Sequence, residues 1–341
     1  MSNELSSMAN IMLPQLENEM QAVLHFDGSK ADLFRGMMHY QMGWIDEQLQ
    51  PIEPISGKRI RPLVCMLVCD ASGGEWQQAV PAASGIEILH NFSLVHDDIE
   101  DVSPTRRGRP TIWKLWGEAQ AINCGDAMFS QSHTAVGNLI NTGTPPATVV
   151  KAMQLFDKTC FQLTEGQHRD MNFETRDDVS VDEYLEMITG KTAVLISYST
   201  AVGAMVAGAP QETIDHYAAY GLNVGLAFQV IDDILGIWGE ESRTGKSAAT
   251  DIITKKKTLP VLFGLENCEP LRDIYREREA DADFVRDVVQ LLNDVGAREF
   301  ADERAEEYST AAIEHLTAAQ PEGDSGKALF EITEVLLERD M

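Results

Sequence analysis

The stretch Ile86-Glu87-Ile88-Leu89-His90-Asn91-Phe92-Ser93-Leu94-Val95-His96-Asp97-Asp98-Ile99-Glu100-Asp101 decides the fold. Ile86, Leu89, Ser93 and His96 recur at steps of three and four, the spacing of one face of an α-helix. That face runs directly into acids. Asp97 and Asp101 stand four apart, and Asp98 and Asp101 three apart, so helical geometry places them side by side. Carboxylates packed together repel unless a cation lies between them. All-oxygen donors suit a hard ion such as Mg²⁺, which takes few carboxylates and completes its shell with water and phosphate oxygens.

Outward from this stretch the helical period persists. Leu63, Leu67 and Ala71 repeat it, while alternating strand patterns are scarce. Gly73-Gly74, Pro145-Pro146, Gly208-Ala209-Pro210 and the glycines from Gly239 to Gly245 punctuate the chain as helix ends. The pattern predicts an all-α protein of roughly ten to thirteen helices joined by short loops. No linker rich in Pro, Gly or Ser divides it, so residues 1–341 read as a single domain. Residues 1–14 and about 318–325 are the expected mobile parts. A chain of 341 residues is long enough to bury a large core.

Charge narrows the function. The chain carries 54 Asp and Glu against 27 Lys and Arg, a net charge of −27. A nucleic-acid binder needs a basic footprint, so that class is excluded. Between Glu277 and Glu307 eleven acids face four arginines, as expected of solvated helix faces. Five scattered cysteines, with no C-x-x-C pair, point to a reducing compartment without a structural zinc. Met1 to Gln15 has Glu4 where a signal peptide wants a cation. Thr192 to Pro210 is charge-free but holds Ser197, Tyr198, Ser199 and Thr200. Such polar groups are costly in lipid, so it reads as a buried core helix. The expectation is a cytoplasmic protein with no transmembrane segment.

Three constellations carry chemistry beside the first acid face. Arg106-Arg107-Gly108-Arg109-Pro110 follows it at once. Guanidinium forks suit phosphate oxygens, so acids then arginines are what a diphosphate needs: metal on one side, direct contact on the other. Phe228-Gln229-Val230-Ile231-Asp232-Asp233-Ile234-Leu235-Gly236 ends the apolar run from Tyr217. Adjacent aspartates there are costly unless paired or metal-bound. Beyond them come Thr244-Gly245-Lys246, Asp251 and Lys255-Lys256-Lys257-Thr258-Leu259-Pro260. Finally, Gly57-Lys58-Arg59-Ile60-Arg61-Pro62 opens an apolar helix. Cations at a helix N-terminus oppose the macrodipole and make sense if an anion also binds there. Lys191-Thr192 and Gln167 are polar at the edges of apolar elements.

In this order, from about residue 55 to 265, the motifs resemble the trans-isoprenyl diphosphate synthases. The resemblance implies an isoprenoid synthase helical bundle around a deep central cavity. It implies Mg²⁺, three ions, on Asp97, Asp98, Asp101, Asp232 and Asp233. Arg106, Lys191, Thr192, Gln229, Lys246 and Lys256 would hold an allylic diphosphate. Lys58, Arg59, Arg61, His90 and Arg107 would hold isopentenyl diphosphate, with Arg59 where the family usually has its first binding arginine. The catalytic set would be Asp97, Asp98, Asp101, Lys191 and Asp232. One position departs: the second motif usually ends in aspartate, and here stands Gly236, leaving Asp233, Glu240 or water to fill the gap. That departure keeps a noncatalytic modulating subunit in view. Phe92, Ser93 and Leu89, before the first motif on its helix, would form the floor that limits the product. An aromatic five positions before Asp97 resembles the geranylgeranyl diphosphate synthases, with a twenty-carbon product, and farnesyl diphosphate is the alternative. A homodimer is expected from the family.

Overall fold

The periodic stretch forms helix α4 (Val80–Glu100), with Pro81 in its first turn, where a missing N–H costs nothing. The protein is represented by a computed structural model that describes residues 3–29, 31–55, 57–239 and 250–337. Before α4 come α1 (Asn3–Val23), α2 (Leu33–Met42) and α3 (Ile60–Ala71). After it come α5 (Ile112–Trp116), α6 (Glu118–Gly137), α7 (Pro146–Thr175), α8 (Val181–Ile188), α9 (Val194–Val206) and α10 (Gln211–Trp238). Six further helices span Thr250–Ile253, Leu259–Asn267, Glu269–Glu277, Ala282–Asp294, Ala297–Ala318 and Gly323–Leu337. Among the described residues, strand is limited to a hairpin of β1 (Thr105–Arg106) and β2 (Arg109–Pro110), plus an isolated bridge between Ile45 and Pro51. The all-α expectation holds.

The chain forms two compact units, each built from separated segments. The first comprises the residues up to Phe156, then Ser199–Ile214 and Pro321–Leu329. Here α4 packs on α1, α3 and α6. Ile86, Ile88 and Leu89 are buried, as is α3 from Leu63 to Cys69, so α3 is apolar nearly all round because it is enclosed. All five cysteines are unpaired. Burial pushes the Cys69 thiol up to about 12, so it behaves as an inert core group.

Two expectations are corrected in this unit. Residues 3–14 are not a loose end but the first half of α1, with Leu5 and Met12 buried in line with Leu16 and Met20. The segment near 318–325 is also tied down. Glu322 N donates to Ala71 O at 2.9 Å and Ser325 Oγ to Asp70 Oδ2 at 2.6 Å. Both errors share a cause: polar composition hid a few anchoring contacts distant in sequence.

The second unit comprises Asp157–Tyr198, Asp215–Gln320 and the residues from Phe330. One buried cluster gathers Tyr184, Ile188, Val230, Ile234 and Leu259, another Ile252, Leu271, Phe284, Val288 and Leu292. The stretch from Thr192 begins in a π-helical turn (Thr189–Ala193) and continues as α9, whose residues up to the buried Tyr198 belong to this unit and whose Ser199 and Thr200, in the first unit, are buried too. Helix α10 is long and apolar enough to cross a bilayer by length and composition alone. Its most apolar window is 56% buried within the protein, and the helix carries Asp232 and Asp233.

His39 on α2 gives the fold a pH signature. Its ring packs on Trp44 (centroids 4.8 Å) and Phe26 (5.2 Å). Burial lowers its pKa from 6.5 to about 4, against a backbone hydrogen bond at Leu24 that works the other way. Between these values the unfolded chain binds more protons than the folded one. Stability from the neutral ring is therefore present above pH 6.5 and lost as pH falls toward 4, a change of about 3 kcal/mol. His39→Phe should flatten that part of the stability curve in urea unfolding at several pH values. An unchanged slope would assign it to other groups.

Candidate active site

In the first unit, the C-terminal turn of α4 and the β1–β2 hairpin build the site. Asp101 closes α4, its N–H bonded to Asp97 O at 2.9 Å. The hairpin pairs Arg106 with Arg109 across a two-residue turn of Arg107 and Gly108, both at positive φ (51° and 74°). Such a turn matches the twist of the flanking strands and is easiest for Gly or Asn, so an arginine there is mildly strained. The turn sends successive arginines to different partners. Arg106 Nε donates to Asp98 Oδ1 at 2.7 Å and Nη2 to Asp97 Oδ2 at 3.0 Å. Burial raises the Asp98 pKa, opposed by the Arg106 bond. Arg107 instead reaches the Gly57 motif, its Nη2 about 3.1 Å from where a Cβ on Gly57 would lie.

Around Arg107 cations accumulate. His90, half-buried on α4, is held well below the usual imidazole range, first by burial and then by Arg61, Arg107, Arg106 and Arg59. Arg61 stands in the first turn of α3, and its Nε is buried without a hydrogen-bond partner. Lys58, three residues before it in sequence, is exposed. A buried guanidinium N–H lacking an acceptor, among other guanidinium groups and a neutral imidazole, fits an anion.

Arg59 does not share this role. It is 4% exposed. Its Nη1 donates to Glu87 at 2.6 Å, its Nε to Glu17 of α1 at 3.0 Å, and its Nη2 to Met42 O at 3.2 Å. Glu87 also accepts from Asn91 Nδ2 at 2.9 Å, and Glu17 from Trp44 Nε1 at 2.7 Å. The sequence favoured Arg59 over Arg61; the structure reverses that order. At φ 51° Arg59 precedes the helix, which turns its side chain inward to the two glutamates.

The product-floor residues also lie on α4. Leu89 is fully buried, and Ser93 Oγ donates to His90 O at 2.8 Å. The Phe92 ring packs on His96 (4.9 Å) and on Phe129 of α6 (5.1 Å). Phe129 continues to His133 (4.7 Å) and His133 to Phe156 of α7 (5.0 Å). Sequence reading missed these partners; the four-residue spacing of Phe129 and His133 on α6 was its trace.

In the second unit the π turn presents Lys191, which pairs with Asp170 of α7. Gly166 and Gly190 allow the close approach, since a Cβ on Gly166 would lie 2.2 Å from Lys191 N. Asp170 was another missed residue: the sequence stopped at Gln167. Thr192 Oγ1 donates to Gln229 Oε1 and Gln229 Nε2 to Asp233 Oδ1, both at 3.1 Å. Asp233 also accepts from the Tyr184 hydroxyl and from Leu259 N. With both oxygens engaged and 1% exposure, Asp233 is placed as an organiser rather than as an open metal ligand. Burial raises its pKa to about 6. Asp232, half-buried, occupies the other side of the pair.

The lysine run separates by function. Lys255 Nζ donates to Tyr275 O and Arg278 O, and Lys257 Nζ to Phe173 O and Arg176 O. Lys256 is set among carboxylates, while Lys257 also feels Asp177, Asp178 and Glu174. Desolvation would lower the Lys256 pKa, yet Asp233, Asp251, Asp170 and Asp232 together hold it above the usual value. Lys246 and Glu240 lie outside the described residues. Among the described residues no three His, Cys, Asp or Glu side chains converge as a metal cage. Mg²⁺ does not require one: it takes one or two carboxylates plus water and phosphate oxygens. The all-oxygen donors of Asp97 and Asp98 in the first unit fit that chemistry, and in the second unit so does the carboxylate of Asp232.

Comparison with known proteins identifies the family. The polyprenyl synthetase family model matches residues 42–292. A (2E,6E)-farnesyl diphosphate synthase of Mycobacterium tuberculosis (strain ATCC 25618 / H37Rv) is 39% identical over 288 residues, 82% of this chain and 79% of its own. A geranylgeranyl diphosphate synthase of Saccharolobus solfataricus is 39% identical over 264 residues, covering 76% and 79%. Among solved structures, geranylgeranyl pyrophosphate synthetase from Pyrococcus horikoshii Ot3 superposes with a TM-score of 0.87 at 30% identity, covering 99% and 98% of the two chains. Polyprenyl synthetase from Streptomyces coelicolor A3(2) gives 0.85 at 32% identity, covering 98% of each. With its isoprenoid synthase helical fold and these relatives, the chain belongs to the polyprenyl synthetase family and is a trans-prenyltransferase.

Proposed function

We propose that the protein joins isopentenyl diphosphate head to tail to an allylic diphosphate, giving geranylgeranyl diphosphate. The observation that carries this is the contrast within the first unit. Asp97 and Asp98 offer carboxylates steadied by Arg106, while Arg61 offers a buried N–H without an acceptor among Arg107 and His90. One anion is then held through metal and the other by bare cations.

Arg106 of the first unit and, in the second, Lys191, Thr192, Gln229 and Lys256 are each suited to an allylic diphosphate, a role the resemblance also gives Lys246; Lys58, Arg61, His90 and Arg107 of the first unit hold isopentenyl diphosphate. Asp97, Asp98 and Asp101 in the first unit, and Asp232 in the second, are the carboxylates that would hold Mg²⁺, which would supply Lewis-acid stabilisation of the departing diphosphate. The cationic side chains oppose the same developing charge. The allylic C–O bond breaks, its electron pair leaving with diphosphate. The isopentenyl double bond attacks the allylic cation, and a proton passes from the new cation to the released diphosphate. Apolar walls exclude water, which would quench the cation. Asp233 positions Gln229 and, through it, Thr192.

The twenty-carbon product rests on Phe92, backed by Phe129 and His96. The similarity to a farnesyl diphosphate synthase favours fifteen carbons as the second reading. Phe92→Ala should lengthen the product beyond that of the wild type, read by chromatography of labelled chains. A wild-type twenty-carbon product that the substitution leaves unchanged would remove Phe92 from the floor. We further take residues 1–341 as one synthase domain, since neither unit is a continuous stretch of chain. We take the enzyme to act in the cytoplasm as a homodimer, supported by its unpaired cysteines and by the exposed apolar side chains Ile122, Ile140 and Val150.

A further inference from the structure

Gly236 lies in the last turn of α10, where the resemblance called for an aspartate. The space above it is not empty. A Cβ built on Gly236 would meet Asp251 Oδ2 at 2.1 Å and its Cγ at 2.7 Å. The carboxylate of the Thr250–Ile253 helix therefore sits where a side chain at 236 would begin. Positions 232 and 236 are four apart on one helix and so share a face. The Asp251 carboxylate thus lies one helical turn beyond Asp232, the relation that Asp101 bears to Asp97 in the first motif. Its own backbone also anchors the cation of this cluster, with Lys256 N donating to Asp251 O at 2.8 Å.

We propose that Asp251 supplies, from a different segment of chain, the carboxylate that the second motif lacks at Gly236, and that residue 236 is glycine to admit it. Asp251 acts as a positioning residue of the diphosphate-binding cluster, and the inference rests on the function proposed above. The charge of Asp251 is felt throughout the cluster. It contributes to raising the pKa of Lys256, Tyr275 and Tyr184. The three atoms nearest a Cβ at 236 all belong to the Asp251 carboxyl group, so the displacement falls first on the carboxylate itself. The second motif is then complete in space though broken in sequence, and the gap that suggested a noncatalytic subunit closes.

The test is calorimetric titration of the full chain with inorganic diphosphate in the presence of Mg²⁺, with a melting curve for each variant. Asp251→Ala should weaken binding about 10- to 100-fold, the usual loss when a group supporting a metal site is removed. Gly236→Ala should weaken it as well, although alanine ordinarily favours a helix over glycine. The double variant Gly236→Asp with Asp251→Ala should regain most of the loss. A merely structural Asp251 would not be rescued by a carboxylate at 236, so a double variant binding no tighter than Asp251→Ala overturns the inference. Wild-type affinity in Gly236→Ala overturns it too. No binding by the wild type overturns the diphosphate-site reading and this inference together, whereas wild-type binding with failed rescue overturns this inference alone.

Discussion

Asp97→Ala is expected to lower kcat about 10²- to 10³-fold at saturating Mg²⁺ and substrates, the cost of removing one preorganised charge-stabilising group. The carboxylate lies in the last turn of α4, and under the proposed function its loss removes a ligand of the Mg²⁺ that would bind the leaving diphosphate. Charge on that diphosphate grows as the C–O bond breaks, so the interaction strengthens in the transition state and the loss falls on kcat more than KM. The structure adds a second consequence. Arg106 bridges Asp97 and Asp98 at 3.0 and 2.7 Å, so the variant leaves it held by Asp98 alone. Asp97→Asn keeps the shape and removes the charge, and should lose nearly as much. Steady-state kinetics beside a thermal melt separates chemistry from folding. Near-wild-type kcat with an unchanged melt would remove Asp97 from the machinery.

Arg59→Ala is expected to destabilise the protein by about 3–5 kcal/mol, the range for breaking a buried ion pair from one side. Glu87 is 3% exposed and would be left as a buried charge with Asn91 as its remaining hydrogen-bond donor. Glu17 would lose its tie from α1 to the Gly57 motif while keeping Trp44. Urea unfolding measures the loss. The opposite pattern, a higher KM for isopentenyl diphosphate with unchanged stability, would return Arg59 to the role the sequence first gave it. Arg61 should show that pattern instead.

The fold was legible because its signal is local. Steps of three and four along α3 and α4, with glycine and proline stops, require only helical geometry. The site was legible in part for the same reason: Asp97, Asp98 and Asp101 share a helix face, and Arg106-Arg107 follow within one hairpin. What failed depends on direction and distance. Arg59 and Arg61 are two apart, and only the left-handed backbone at Arg59 decides which one turns inward. Asp232 and Asp233 are adjacent, yet Tyr184, Gln229 and Leu259 claim the second. The three lysines look alike in sequence, and carbonyls of distant helices take the outer two. Asp170 carries no local pattern, and Asp251, though it stands among the motifs, shows its partner only after folding, which brings the two toward Lys191 and Gly236.

Under the proposed function one diphosphate is held by bare cations and the other through metal. Calorimetric titration with isopentenyl diphosphate and with a non-reactive allylic diphosphate analogue, each with and without Mg²⁺, tests it directly. Isopentenyl diphosphate should bind without the metal and lose affinity in Arg107→Ala, while the allylic analogue should bind only when Mg²⁺ is present and fail in Asp97→Ala. Equal dependence of both ligands on Mg²⁺, or metal-free binding of both, would contradict the division of labour between the arginine cluster and the aspartate face.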